Sequence, residues 1–206
     1  VSRIKEKLPT IQQSLPDDVV IEPFLDRTDL VQRAIHTVEK NLLEGALIVI
    51  FVLVLFLGNL RAGLIVATAI PLSLLFALGM MNLFGVSANL MSLGAIDFGI
   101  IVDGSVIVVE AVMHHLAIRK NQQPLTQAQM DDEVYHSASK IRSSAAFGEI
   151  IILMVYIPIL TLVGVEGKMF RPMAQTVVFA ILGALILSLT YIPAMSALLL
   201  PKKVSD

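Results

Sequence analysis

Five stretches of the chain are apolar for about 20 residues each, the length an α-helix needs to cross the hydrocarbon core of a bilayer. They cover residues 42–60, 64–84, 90–116, 144–165 and 176–200. With no water in that core, backbone N–H and C=O groups must be paired within the protein, so spanning segments are helices or closed barrels. Runs of this length point to helices. The predicted fold is an all-α transmembrane bundle of five spans over residues 41–206, preceded by a short α/β piece over residues 1–40. Pro71, Pro158 and Pro193 fall inside the spans, where neighbouring helices can satisfy the backbone groups a proline frees.

Composition removes several other classes. The chain is 56% hydrophobic and 16% charged, against about 25% charged in soluble domains; its mean hydropathy is +0.81. There is no Cys, so neither a disulfide framework nor a thiolate metal site is available. A net charge of -2 gives no electrostatic case for nucleic acid. Trp is absent, which leaves three Tyr and the Lys/Arg anchors to mark the membrane interfaces.

Residues 1–40 read as the end of a soluble domain. Ile4, Leu8 and Ile11 fall at helical spacing, with Pro9 expected to interrupt or restart the helix. Leu15-Pro16-Asp17-Asp18 reads as a turn, and Val19-Val20-Ile21-Glu22-Pro23-Phe24 as an edge strand. Asp26 or Thr28 offers an N-cap for a helix whose apolar face carries Leu30, Val31, Ala34, Ile35 and Val38. No stop signal intervenes before Leu42, so this helix is expected to run into the first span. The chain opens on Val without a signal-peptide pattern, and the expectation is a fragment of a longer polypeptide.

Basic residues orient the spans. Arg61, Arg119, Lys120, Lys140, Arg142, Lys202 and Lys203 flank one side, and Lys168 and Arg171 the other. Positive charge concentrates on the cytoplasmic side, so the C-terminal end is expected in the cytoplasm and residues 1–40 outside. The polar connector after the third span contains residues 126–133, which can form a surface helix.

The third span carries Asp97, Asp103 and Glu110. An acid at the centre of a spanning helix costs roughly 2.5–3.5 kcal/mol and marks a functional site by default, often a proton relay. At about 100° per residue, Asp103 and Glu110 point within roughly 20° of each other, and Asp97 is offset by about 120°. Gly94, Gly99 and Gly104 leave small surfaces that permit close helix approach or water entry. Desolvation favours a neutral carboxyl and a nearby cation favours a charged one. A group held between these pulls can load and release a proton, whereas one fixed in a permanent salt bridge cannot. His114 and His115 read as interfacial packing, Glu149 as an acid reaching the interface, and the methionines as packing residues, although thioethers can bind Cu(I).

The run Asn89-Leu90-Met91-Ser92-Leu93-Gly94-Ala95-Ile96-Asp97-Phe98-Gly99-Ile100-Ile101-Val102-Asp103-Gly104 resembles the fourth membrane helix of the resistance–nodulation–division (RND) efflux pumps. The heavy-metal branch, of the cobalt-zinc-cadmium resistance type, is the nearest in pattern. Leu25-Asp26-Arg27-Thr28-Asp29-Leu30-Val31, Asn41-Leu42-Leu43-Glu44-Gly45-Ala46 and Gly164-Val165-Glu166-Gly167-Lys168-Met169-Phe170-Arg171-Pro172-Met173-Ala174 are similar to further signatures of that family.

The resemblance implies a twelve-helix transporter of the bacterial inner membrane, of which this chain would supply the end of a periplasmic pore subdomain and membrane helices two to six. It implies a homotrimer working with a periplasmic adaptor protein and an outer-membrane channel. It also implies export of divalent Zn, Co, Cd or Ni as substrate, driven by protons as the coupling ion, with no resident cofactor. Asp103 matches the acid shared across the superfamily, Asp97 the additional acid of the divalent-metal branch, and Glu110 a third acid of that helix. No metal ligand is assignable from these residues. Ala111 after Glu110, where the family usually has Asn, and the pair His114-His115, in place of a more basic stretch, depart from the pattern. Export of organic compounds, or of copper and silver, is the alternative transport reading. An intramembrane aspartyl protease is disfavoured because Ile101-Val102, not a Gly-x-Gly, precedes Asp103 and both Asp sit in one span. A non-transporting scaffold gives no reason to keep three acids there.

Overall fold

The computed structural model describes residues 2–13, 15–16, 19–21, 27–86, 92, 94, 96–118 and 125–201. The helices are α1 (Ser2–Gln12), α2 (Arg27–Leu57), α3 (Leu60–Leu83), α4 (Phe98–Ile118), α5 (Gln127–Leu160), α6 (Gly164–Leu189) and α7 (Tyr191–Leu199). Five of them, α2 to α6, contain segments long and apolar enough to cross a membrane. The chain divides into two units, residues 1–40 and 41–206.

In the first unit, α1 continues through Pro9 without a break. The side chain of Gln12 then ties down the segment that follows: its Nε2 donates to Val19 O and its Oε1 accepts from Ile21 N at 2.8 Å. These bonds take the backbone groups a sheet ladder would need. No strand occurs among the described residues; Val19, Val20 and Ile21 are irregular, and Glu22, Pro23 and Phe24 of the expected strand lie outside them. Thr28 falls inside α2 rather than capping it, and Asp26 is outside the described residues. Helix α2 runs unbroken to Leu57.

The second unit is assembled from close helix contacts. Gly58 ends α2 with φ +59°, a left-handed conformation that glycine adopts without a Cβ penalty. Asn59 then caps α3, its Oδ1 accepting from Arg61 N at 2.9 Å and Ala62 N at 3.2 Å. The two helices nearly touch at Gly63, where an added Cβ would lie 2.9 Å from Val54 Cα. Helix α3 packs against α6 and α4, and α4 packs against α5 and α6. Both helices carry small buried residues, among them Ala69 and Ala77 of α3 and Ala180 and Ala184 of α6. Small residues let spanning helices approach where lipid supplies no hydrophobic drive. At Gly183 a Cβ would lie 2.8 Å from Phe76. Val66, Ile70, Ile101, Val108, Val112 and Ile192 belong to the buried core.

Two segments predicted as separate are continuous, and one predicted as continuous is divided. Thr126 and Gln129 form a reciprocal capping box at the start of α5, which then runs without interruption from the polar connector to Leu160. Lys168 and Arg171, placed in a loop by sequence, lie in the first turns of α6. The fifth predicted span is interrupted at Thr190, between α6 and α7. Pro193 thereby becomes the third residue of α7, where its missing N–H has no intrahelical acceptor to lose.

Candidate functional site

Helix α4 has two unlike faces. Ile101, Val102, Gly104, Ser105, Val108, Val109 and Val112 are buried against other helices. Asp103, Ile107, Glu110 and His114 are exposed, at the i, i+4, i+7 and i+11 spacing of a single helical stripe. Two of the three sequence-predicted acids therefore share one uncovered face. The energetic cost of a carboxylate in hydrocarbon requires that stripe to adjoin protein or water rather than lipid tails.

Asp97 occupies a different position from the one its spacing suggested. Helix α4 begins at Phe98, and Asp97 immediately precedes it. Its Oδ1 accepts from Gly99 N at 2.8 Å, and its carbonyl accepts from Ile101 N at 3.4 Å. This is a capping arrangement at a helix N-terminus, where a negative side chain also meets the positive end of the helix dipole. A helical angle between Asp97 and Asp103 is therefore undefined. Asp97 still lies close enough for its charge to act on Asp103.

The acid that sequence reasoning set aside is the buried one. Glu149, on α5, is 3% exposed, and neither carboxyl oxygen has a hydrogen-bond partner among the described residues. Its position corrects the expectation that it reaches the interface. Gly104 makes room for it: a Cβ there would collide with Glu149 Oε1, lie 3.0 Å from its Cδ and stand 3.3 Å from Ser188 Oγ of α6. Glu149 is thus held where α4, α5 and α6 meet, one residue along from Asp103, and the charge of Asp103 reaches it. The sequence carries a signal for this burial. Met130, Val134, Ser137, Ala145 and Glu149 form one buried stripe of α5, and following that stripe rather than the hydropathy profile leads to Glu149.

Among the described residues no group of three or more His, Asp or Glu stands close enough to hold a metal ion. The arrangement suits proton handling: three carboxyls at the start, middle and packed side of one helix segment, with Glu110 two turns beyond Asp103. His114 and His115 end the same helix.

Comparison with known proteins gives a consistent picture. The family model described as AcrB/AcrD/AcrF matches residues 1–206. The chain is 52% identical over 206 residues to the cobalt-zinc-cadmium resistance protein CzcA of Cupriavidus metallidurans, covering 98% of this chain and 19% of that protein. It is 48% identical over 205 residues to the nickel and cobalt resistance protein CnrA of the same organism, with the same coverage. The cation efflux system protein CusA of Escherichia coli K12 is 36% identical over 200 residues, covering 94% of this chain and 19% of that one. A crystal structure of a heavy metal efflux pump superposes with a TM-score of 0.81 at 40% identity, over 96% of this chain and 19% of the pump. The chain thus spans about a fifth of the length of these relatives.

Proposed function

Because the chain belongs to the AcrB/AcrD/AcrF family, we propose that this multi-pass membrane protein forms part of a proton-driven exporter of divalent heavy-metal cations. The observation that carries the proposal is the exposed stripe of α4, with Asp103 and Glu110 on one face of a membrane-spanning helix. A structural role in lipid would favour apolar residues there; a proton path requires the acids.

In this reading Asp103 alternates between charged and protonated forms. Charged, it pairs with a cation or water across the exposed face of α4. Protonated, it no longer holds that partner, and α4 shifts against the helices it faces. Glu110 extends the same face towards the His114 end. Asp97 stabilises the start of the helix and adds a second negative charge near Asp103. Metal is the substrate and moves in exchange for protons.

Divalent Zn, Co, Cd or Ni is favoured as the substrate by identities of 52% and 48% to relatives named for cobalt, zinc, cadmium and nickel. The inner membrane, a cytoplasmic C-terminal end, a homotrimer, a periplasmic adaptor and an outer-membrane channel belong to the same proposal. They rest on the distribution of Lys and Arg and on kinship with efflux pumps. Reconstitution of the full-length protein into proteoliposomes tests the reading. Metal-dependent proton flux is expected in the parent and lost in Asp103→Asn; undiminished flux in that variant overturns it.

A further inference from the structure

We propose that Glu149 is a proton-binding carboxyl of the bundle, distinct from the acids of α4, reached by water through a cavity beside Ser188. A carboxyl 3% exposed, with both oxygens unpartnered among the described residues, is costly as a fixed charge. Such a group persists where the site uses it.

The neighbours specify what it binds. Ser188 Oγ borders the same space at Gly104 as Glu149 Oε1. The Ser188 hydroxyl already donates its hydrogen to Leu185 O at 2.9 Å. Ser188 can therefore offer Glu149 only lone pairs. The serine thus brings no donor to the carboxylate, and a proton on Glu149 removes a charge that nothing in the niche compensates. The niche accommodates the neutral acid and disfavours the bare carboxylate.

The proposed water route adjoins the niche at Ser188. A cavity of about 90 Å³ is lined by Ser188 together with Tyr135, Ser139 and Arg142 of α5. It is large and polar enough to hold water. Arg142 lies two helical turns before Glu149 on nearly the same face of α5, and Ser188 belongs to both the cavity and the Glu149 niche. Among the described residues, the charged and titratable groups facing this region are Asp103 from α4 and, along α5, Arg142 and Tyr135; α6 contributes Ser188. Gly104 completes the design, because a side chain at that position would fill the niche.

The coupling of Glu149 to metal export rests on the proposed function; its proton binding does not. Infrared difference spectra of the full-length protein in lipid, recorded between acidic and alkaline buffer, provide the test. The parent is expected to show carboxylic-acid C=O bands, one of which is lost in Glu149→Gln and retained in Asp103→Asn. In Ser188→Ala, which leaves the acid but removes the hydroxyl from its niche, that band should shift. Identical bands in the parent and Glu149→Gln overturn the proposal, as does an unmoved band in Ser188→Ala should Glu149→Gln fail to fold. Loss of the Glu149 band alongside undiminished metal-driven flux in Asp103→Asn would remove the exporter reading and leave the proton site. The opposite pattern would remove only the site.

Discussion

Gly104 of α4 and Glu149 of α5 occupy complementary space: the hydrogen in place of a side chain at Gly104 is what admits the buried carboxyl of Glu149. The pair joins the helix that carries the exposed acids to the helix that brings polar sequence into the membrane. Packing and chemistry meet at this contact, so it can be probed through either.

Gly104→Ala is expected to destabilise the bundle by about 1–3 kcal/mol, the usual cost of overpacking a filled site. Adding Glu149→Ala empties the space and should recover part of that loss, so the two effects will not add. Thermal unfolding of the full-length protein in detergent, for the two single variants and the double, measures this. Strict additivity would show that the contact carries no energy.

Asp103→Asn preserves shape at an exposed position and should leave folding and membrane yield unchanged. Removing an essential proton-transfer group typically costs about 10²–10⁴-fold in rate. A loss of that order in metal-coupled proton flux is expected, with size-exclusion behaviour like that of the parent.

At Asp97 two roles separate. Asp97→Ala removes the bond to Gly99 N and should cost about 0.5–2 kcal/mol, as other N-caps do. Asp97→Asn keeps an accepting oxygen and removes the charge, so most stability should remain. Transport lost in the Asn variant, with unfolding temperature retained, assigns the charge a role beyond capping. Equal destabilisation in both would contradict the capping geometry.

Two glycines of α3 should respond in opposite directions. A Cβ at Gly63 meets Val54 backbone at 2.9 Å, whereas one at Gly79 meets nothing within 4 Å. Gly63→Ala is expected to destabilise, since backbone cannot move aside cheaply. Gly79→Ala should stabilise by roughly 0.5–1 kcal/mol through helix propensity. Unfolding midpoints in detergent decide between this and a uniform response.

Much of the architecture was legible in order along the chain, because its causes are local. A run of about 20 apolar residues must become a helix in lipid, since its own backbone is the only reliable partner for each N–H and C=O. Gly58 and Asn59 mark the end of α2 and the start of α3 by their own conformational and capping preferences. The separation of Asp103 and Glu110 by seven residues put them on one face by helix geometry alone.

Tertiary structure decided the rest. Asp97 left the helix because its side chain captures a backbone N–H that helical periodicity counts as internal. The break at Thr190 divides what hydropathy reads as one span. Glu149 looked like an acid near a membrane surface until α4 and α6 closed over it at Gly104 and Ser188. Apolar length reports only transfer to lipid, which each segment feels alone. Which acid is buried depends on where helices distant in sequence find space to touch, and that is a property of shapes fitted together.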